Sequence, residues 1–104
     1  MAYDSLYAQP EGVYDKAHFE SWLATQKNIK KKHREPLIAF YDVPIRSLMD
    51  NLNRKPHGFL GFCHDIKQIV IYMKRYLDAL EIYHVSDVKE DPADGLWTCK
   101  VSRQ

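Results

Sequence analysis

The chain has 104 residues, with 15 Lys and Arg against 14 Asp and Glu, and 45% of its residues are hydrophobic. This length fits a single domain, and no segment approaches the roughly 20 apolar residues that span a bilayer. Two cysteines are too few for a disulfide framework and the N-terminus lacks the layout of a secretory signal, so we expect a cytoplasmic protein with reduced thiols and no membrane contact.

The N-terminal quarter predicts an arm followed by a helix. Residues 1–14 contain a proline and a glycine and show no apolar period, so we expect an irregular arm. Its three tyrosines are candidates for contact with a second copy of the chain. Asp15 is the expected N-cap of the helix, and Phe19 and Leu23 lie on its apolar side. This helix is expected to extend toward Ile29.

The middle of the chain predicts a short strand and a second helix. Pro36 is expected to end the first helix, because the residue before a proline is biased toward extended geometry. The apolar run 37–41 fits a short strand, and Pro44 suits the first turn of a helix. Apolar residues then recur at helical spacing at Ile45, Leu48, Met49 and Leu52. Residues 53–62 are expected to form a loop.

The last forty residues predict a helix that leads directly into a β-hairpin. Apolar side chains recur every three or four residues through residues 65–81, which gathers them on one side of a helix. Asp65 is its expected N-cap. The period then becomes alternating, with inward positions predicted at Tyr83, Val85, Val88, Trp97, Cys99 and Val101. Segment 90–95 contains the proline and glycine that favour a turn between the two strands.

Charges are unevenly distributed along the chain. Residues 27–75 contain eleven Lys or Arg and four Asp or Glu, a balance of +7, whereas the segments on either side carry −3 each. A basic middle of this kind is typical of a surface that binds a polyanion. Its densest part, residues 27–34, resembles a nucleic-acid patch, although a solvated helix end or a nuclear address would have the same composition. The predicted hairpin tip is acidic, which disfavours its entry into a groove.

The predicted order of elements, α-β-α-α-β-β, resembles that of winged-helix regulators of the helix-turn-helix class. The segment IKQIVIYMKRYLDALEIYHV, residues 66–85, resembles their third helix and first wing strand. The resemblance is one of pattern, and the link of about eleven residues between the second and third helices is longer than a helix-turn-helix uses. It implies an α+β, winged-helix-like domain at residues 15–104, with three helices, a short strand and a C-terminal β-hairpin.

The same resemblance implies a double-stranded DNA-binding protein that acts in transcription regulation or as an accessory factor. Its third helix would face the major groove, where Gln68 suits an adenine edge and Lys67 suits guanine or phosphate. Stand-alone domains of this kind usually act as homodimers. The candidate nucleic-acid-binding residues are Lys27, Lys30, Lys31, Lys32, Arg34, Arg54, Lys55, His64, Lys67, Gln68, Lys74 and Arg75.

No residue pattern predicts catalysis. The spacing of Cys63, His64 and the other histidines matches none of the paired patterns of zinc sites, and two glycines before the last helix do not make a phosphate-binding loop. We therefore expect a non-enzymatic protein without metal or cofactor. The alternative is a small protein–protein interaction module that does not bind nucleic acid, for example a phage- or plasmid-encoded inhibitor or adaptor.

Overall fold

The computed structural model describes residues 15–54 and 58–104. Within these residues the helices are α1 (Lys16–Thr25), α2 (Lys31–Phe40), α3 (Arg46–Arg54) and α4 (Lys67–Ala79), and a π-helical segment (Tyr41–Ile45) joins α2 to α3. The strands are β1 (Phe59–His64), β2 (Tyr83–Glu90) and β3 (Trp97–Arg103). The arm predicted for residues 1–14 lies outside the described residues.

The strands form an antiparallel sheet in the order β1-β3-β2. Directly opposed residues share a face of an antiparallel sheet, and the opposed pairs Phe62–Cys99 and Val85–Val101 are buried beneath α3 and α4. The α+β class is therefore confirmed, together with the C-terminal hairpin and the winged-helix-like combination of helices with a small antiparallel sheet.

The C-terminal half follows the apolar pattern of the sequence closely. α4 buries six residues, namely Ile69, Val70, Tyr72, Met73, Tyr76 and Leu77. Gly95 in the hairpin turn has a φ of 74°, which glycine adopts without strain. A bulge interrupts the pairing of β2 with β3 between Ser86 and Lys89, where Asp87 has a φ of 57°.

The strand predicted at residues 37–41 was wrong, because this run is helical. Pro36 is the sixth residue of α2, and it removes one helical hydrogen bond without ending the helix. Burial of His33, Leu37 and Phe40 along one side of α2 outweighs that loss, since tertiary packing overrides local propensity. A short apolar run fits a helix as well as a strand, so its composition alone was not decisive.

The first strand lies instead at residues 59–64 and overlaps most of its length with the segment 53–62 predicted as a loop. A glycine permits the close approach of β1 to β3, because a Cβ on Gly61 would lie 2.8 Å from the carbonyl oxygen of Cys99.

No helix in the described ranges is long and apolar enough to cross a bilayer.

Two helix ends also differ from the sequence-based expectation. Asp15 caps α1 as predicted, and its carboxylate accepts a hydrogen bond from the amide of His18 at 3.0 Å. α1 nevertheless ends at Thr25, before Ile29. Asp65 does not cap α4; Ile66 occupies the cap position and makes no side-chain hydrogen bond there.

An aromatic cluster holds α1 against the rest of the domain. Phe19 stacks on Tyr41 with ring centroids 4.4 Å apart and meets Tyr76 of α4 edge-on at 4.9 Å. Trp22 adds a second edge contact with Tyr76 at 5.2 Å. Such pairs are favourable beyond the area that they bury. The cluster therefore fixes the inner side of α4 and leaves its other side open.

Candidate nucleic-acid interface

α4 has a solvent-facing side that carries four of the sequence-predicted binding residues. This outer face of α4 consists of residues that are exposed or half-buried, namely Lys67, Gln68, Ile71, Lys74, Arg75, Asp78 and Ala79. The buried residues lie on the opposite side, in agreement with the amphipathic pattern. No described segment therefore covers the cations of this helix.

The start of α2 lies beside the outer face of α4. The ring of Tyr72 connects them: the His33 ring of α2 lies 6.3 Å from it, centroid to centroid, and the Arg75 guanidinium lies 5.6 Å from its centroid. Lys30, Lys31 and Lys32 immediately precede His33 and are exposed. Two basic segments that are distant in sequence are thus neighbours in the fold.

These residues define one candidate site. We call it the cationic surface, and it consists of Lys30, Lys31 and Lys32, which precede His33, and of Arg75 with its chain neighbour Lys74 on the outer face of α4. Lys74 is partly neutralised, because its Nζ lies 2.6 Å from the carboxylate of Asp78 one helical turn away. The other four cations have no ion-pair partner among the described residues. Their charge is therefore available to an anionic ligand.

The N-terminal end of α4 has a different electrostatic environment. Lys67 places its Nζ 4.7 Å from the ring centroid of Trp97, a cation–π contact that holds the side chain against the sheet. Trp97 is paired with Glu90, and the acidic hairpin turn lies between these two residues in the chain. Asp65 is also exposed just before the helix. Lys67 is therefore a cation with acidic neighbours.

Two predicted binding residues have structural partners in the fold. The Arg34 guanidinium donates hydrogen bonds to the carbonyl oxygens of Leu23 at 3.1 Å and Gln26 at 2.9 Å, which satisfies the C-terminal end of α1. The His64 Nδ1 accepts a hydrogen bond from the amide of Ile66 at 3.0 Å. Both side chains are half-buried, so each supports a helix end.

The three remaining candidates are an exposed arginine at the end of α3, an exposed lysine in the turn before α2 and a lysine outside the described residues. Arg54 ends α3, whose neighbouring Asn53 accepts a hydrogen bond from Tyr83 at the start of β2. That end of the sheet is opposite the end where Lys67 contacts Trp97. Lys27 is exposed in the turn between α1 and α2. Lys55 is among the residues that are not described.

His33 and Tyr72 are the residues that sequence reasoning missed at this site. Neither carries the cationic charge that marked the other candidates, yet their rings bring α2 and α4 together. The available signal was a four-residue spacing that begins at His33 and continues through Leu37 and Tyr41. It places His33 on the buried side of a helix, as the structure shows.

The described residues contain no cluster of three or more His, Cys, Asp or Glu side chains arranged to hold a metal ion. Burial raises the pKa of the Cys99 thiol to about 12, so that it remains protonated at neutral pH. A protonated, buried thiol is a poor nucleophile. Cys63 is exposed on the neighbouring strand β1 and is not bonded to Cys99.

Comparison of this chain with known proteins found no matching family model, no similar curated protein and no similar solved structure.

Proposed function

We propose that this protein is a non-enzymatic, double-stranded DNA-binding regulator or accessory factor that works as a homodimer in the cytoplasm. The observation that carries the proposal is that His33 and Arg75 both lie near the ring of Tyr72, which brings the basic run next to α4. A reducing compartment suits the two free cysteines.

The cationic surface would bind the phosphate backbone. Lysine and arginine side chains that neutralise phosphates release counterions, and this release supplies most of the sequence-independent affinity for DNA. Gln68 lies two helical turns before Arg75 and therefore on the same side of α4. If Arg75 contacts a phosphate, Gln68 is the polar side chain of this helix placed to approach a base edge.

The acidic hairpin turn would remain outside the groove. Asp91 and Asp94 use their carboxylates to accept hydrogen bonds from the amides of Ala93 and Leu96, each at 2.9 Å, so the turn is held in place with its negative charges exposed. Phosphates repel such a turn. The proposed mode therefore uses the start of α2 and the C-terminal half of α4, where winged-helix proteins use the N-terminal end of the third helix.

The test is a titration of random-sequence duplex DNA at two salt concentrations. Wild-type protein should bind, and its affinity should fall steeply as salt is added. The triple variant Lys30→Ala, Lys31→Ala, Lys32→Ala should lower the slope of log K against log salt by about 3, because each phosphate contact contributes about 0.9. The control variant Lys16→Ala, Lys89→Ala, Lys100→Ala removes three lysines outside the cationic surface and should leave the slope nearly unchanged.

Two outcomes would overturn the proposal. The first is an absence of duplex binding by wild-type protein at low salt, which would favour the alternative of a protein–protein interaction module. The second is an equal loss of affinity in both triple variants, which would show that net charge and not the cationic surface determines binding.

A further inference from the structure

The two edges of the sheet are built differently. β2 forms one edge, carries Asp87, Lys89 and Glu90, and is bent by the bulge at Asp87. Charges and bulges protect an edge strand from pairing with another chain. β1 forms the opposite edge, contains no Asp, Glu, Lys or Arg, and keeps a regular register with β3 through six consecutive pairs. It lacks the protection that β2 has.

β1 also exposes apolar side chains. Phe59 is 69% exposed and Leu60 is 37% exposed, which places them among the few large hydrophobic residues at the described surface. Among the described residues β1 pairs only with β3. The backbone N–H and C=O groups on its other side are therefore open to a further strand.

A depression flanks β1 on each face of the sheet. The depression on the helix-covered face has a volume of about 430 Å³ and is lined by Leu60 together with Leu52 and Arg54 of α3. The depression on the open face has a volume of about 620 Å³ and extends from Gly61 across Lys100 of β3 to Asp87 of β2. Side chains of a strand alternate between the two faces, so a strand added at this edge would place side chains beside the β1 end of each depression.

We propose that the occupant of this edge is β1 of a second copy, paired antiparallel in a two-fold symmetric dimer. Two identical uncharged strands meet without like-charge repulsion, and a two-fold axis perpendicular to the sheet makes the same surface self-complementary. The protected edge at β2 stops growth after two copies, whereas two open edges would allow continued addition. The dimer would have one continuous sheet of six strands, with all helices on one side.

This interface differs from the arm predicted from the sequence and does not depend on nucleic-acid binding. Its contact area, one strand edge with two flanking apolar side chains, falls at the low end for specific interfaces, below about 1,200 Å². The dimer should therefore form reversibly and with a clear dependence on protein concentration.

The experiment is analytical ultracentrifugation of the full chain without nucleic acid, from low to high micromolar concentration. Wild-type protein should shift from monomer to dimer. Phe59→Lys, which adds a charge at the open edge, should raise the dissociation constant at least tenfold. His84→Lys adds the same charge to an exposed position of β2 and should leave the dissociation constant unchanged. Circular dichroism should confirm that both variants are folded.

Hydrogen exchange of the β1 amides gives an independent readout on wild-type protein, where protection should rise with concentration. Four results would overturn the proposal: a monomer at every concentration, assembly beyond the dimer, a dimer that Phe59→Lys does not weaken, or β1 protection independent of concentration. High β1 protection at every concentration of a monomeric protein would show that another part of the same chain covers β1. A monomer at every concentration would also remove the homodimer from the proposed function, but none of these results bears on duplex binding, so DNA binding and the strand-paired dimer can fail separately.

Discussion

The two faces of α4 have different roles in this molecule. The inner face meets the aromatic cluster and the sheet through fully buried residues such as Met73 and Tyr76. The outer face carries Lys74 and Arg75, and Arg75 contacts Tyr72, whose ring also lies near His33 after the exposed lysines at the start of α2. One helix thus links the core to the proposed binding surface. From this separation we expect that substitutions on the inner face alter the free energy of unfolding, whereas substitutions on the outer face alter the affinity for DNA.

The largest expected effect is that of a cavity on the inner face. Met73→Ala should lower the free energy of unfolding by about 2–5 kcal/mol, because Met73 is fully buried between helix and sheet and its neighbours cannot fill the space completely. Urea unfolding measures this loss. Under conditions where the variant is folded, its affinity for duplex DNA should equal that of wild-type protein. Weaker binding by folded Met73→Ala would contradict the separation of the two faces.

Raising the pH should lower the free energy of unfolding through Tyr41, which stacks on Phe19 in the aromatic cluster that meets the inner face of α4. Burial raises the pKa of Tyr41 from 10.0 to about 12. The unfolded chain therefore releases the phenol proton first, and the stability present below pH 10 is lost as the pH rises from 10 to 12. The loss from this group should reach roughly 2 kcal/mol. Urea unfolding of wild-type protein and Tyr41→Phe between pH 8 and 11 should show a shallower decline in the variant, and parallel declines would refute the assignment.

Charge reversal on the outer face should give the smallest free-energy change of the three. Arg75→Glu should weaken duplex binding by about tenfold, or 1.4 kcal/mol, and should change the free energy of unfolding by less than about 0.5 kcal/mol, as is usual for a surface substitution. Lys89→Glu, a reversal on exposed β2, is the matched control. Equal effects of the two variants in an anisotropy titration would remove Arg75 from the proposed surface.

The sequence predicted the C-terminal half of the fold better than the N-terminal half, for physical reasons. Helix α4 and the hairpin have strong, distinct periods, and their apolar positions are also their buried positions. The segment around Pro36 combines a proline with a short apolar run, and local sequence rules predict from these two features that the helix ends there. The segment is helical because tertiary packing buries one side of α2, which the local sequence does not show.

The candidate site was predictable in composition but not in arrangement. Sequence showed the basic run and the exposed cations of α4. It could not show that Arg34 points inward to the carbonyl oxygens of α1, since an arginine in a charged run has no local mark of burial. Nor could it show that Tyr72 joins the two segments, because that contact depends on the antiparallel placement of α2 and α4.

The π-helical segment between α2 and α3 determines which way α3 faces. Buried residues from His33 to Met49 recur every four positions, a longer interval than the 3.6 residues of an α-helical turn. The wider π turn takes up the surplus residue, so that α2 and α3 follow one another in one continuous helical run. Loss of a single residue there, such as the 70% exposed Val43, would remove the surplus, so that an α-helical turn could replace the π turn with α3 in nearly the same orientation, whereas loss of a residue within α2 would rotate α3 by about 100° relative to the start of α2. The π-helical segment is therefore the one place in the run from α2 to α3 where the chain should tolerate a one-residue deletion without turning the buried side of α3 away from the sheet.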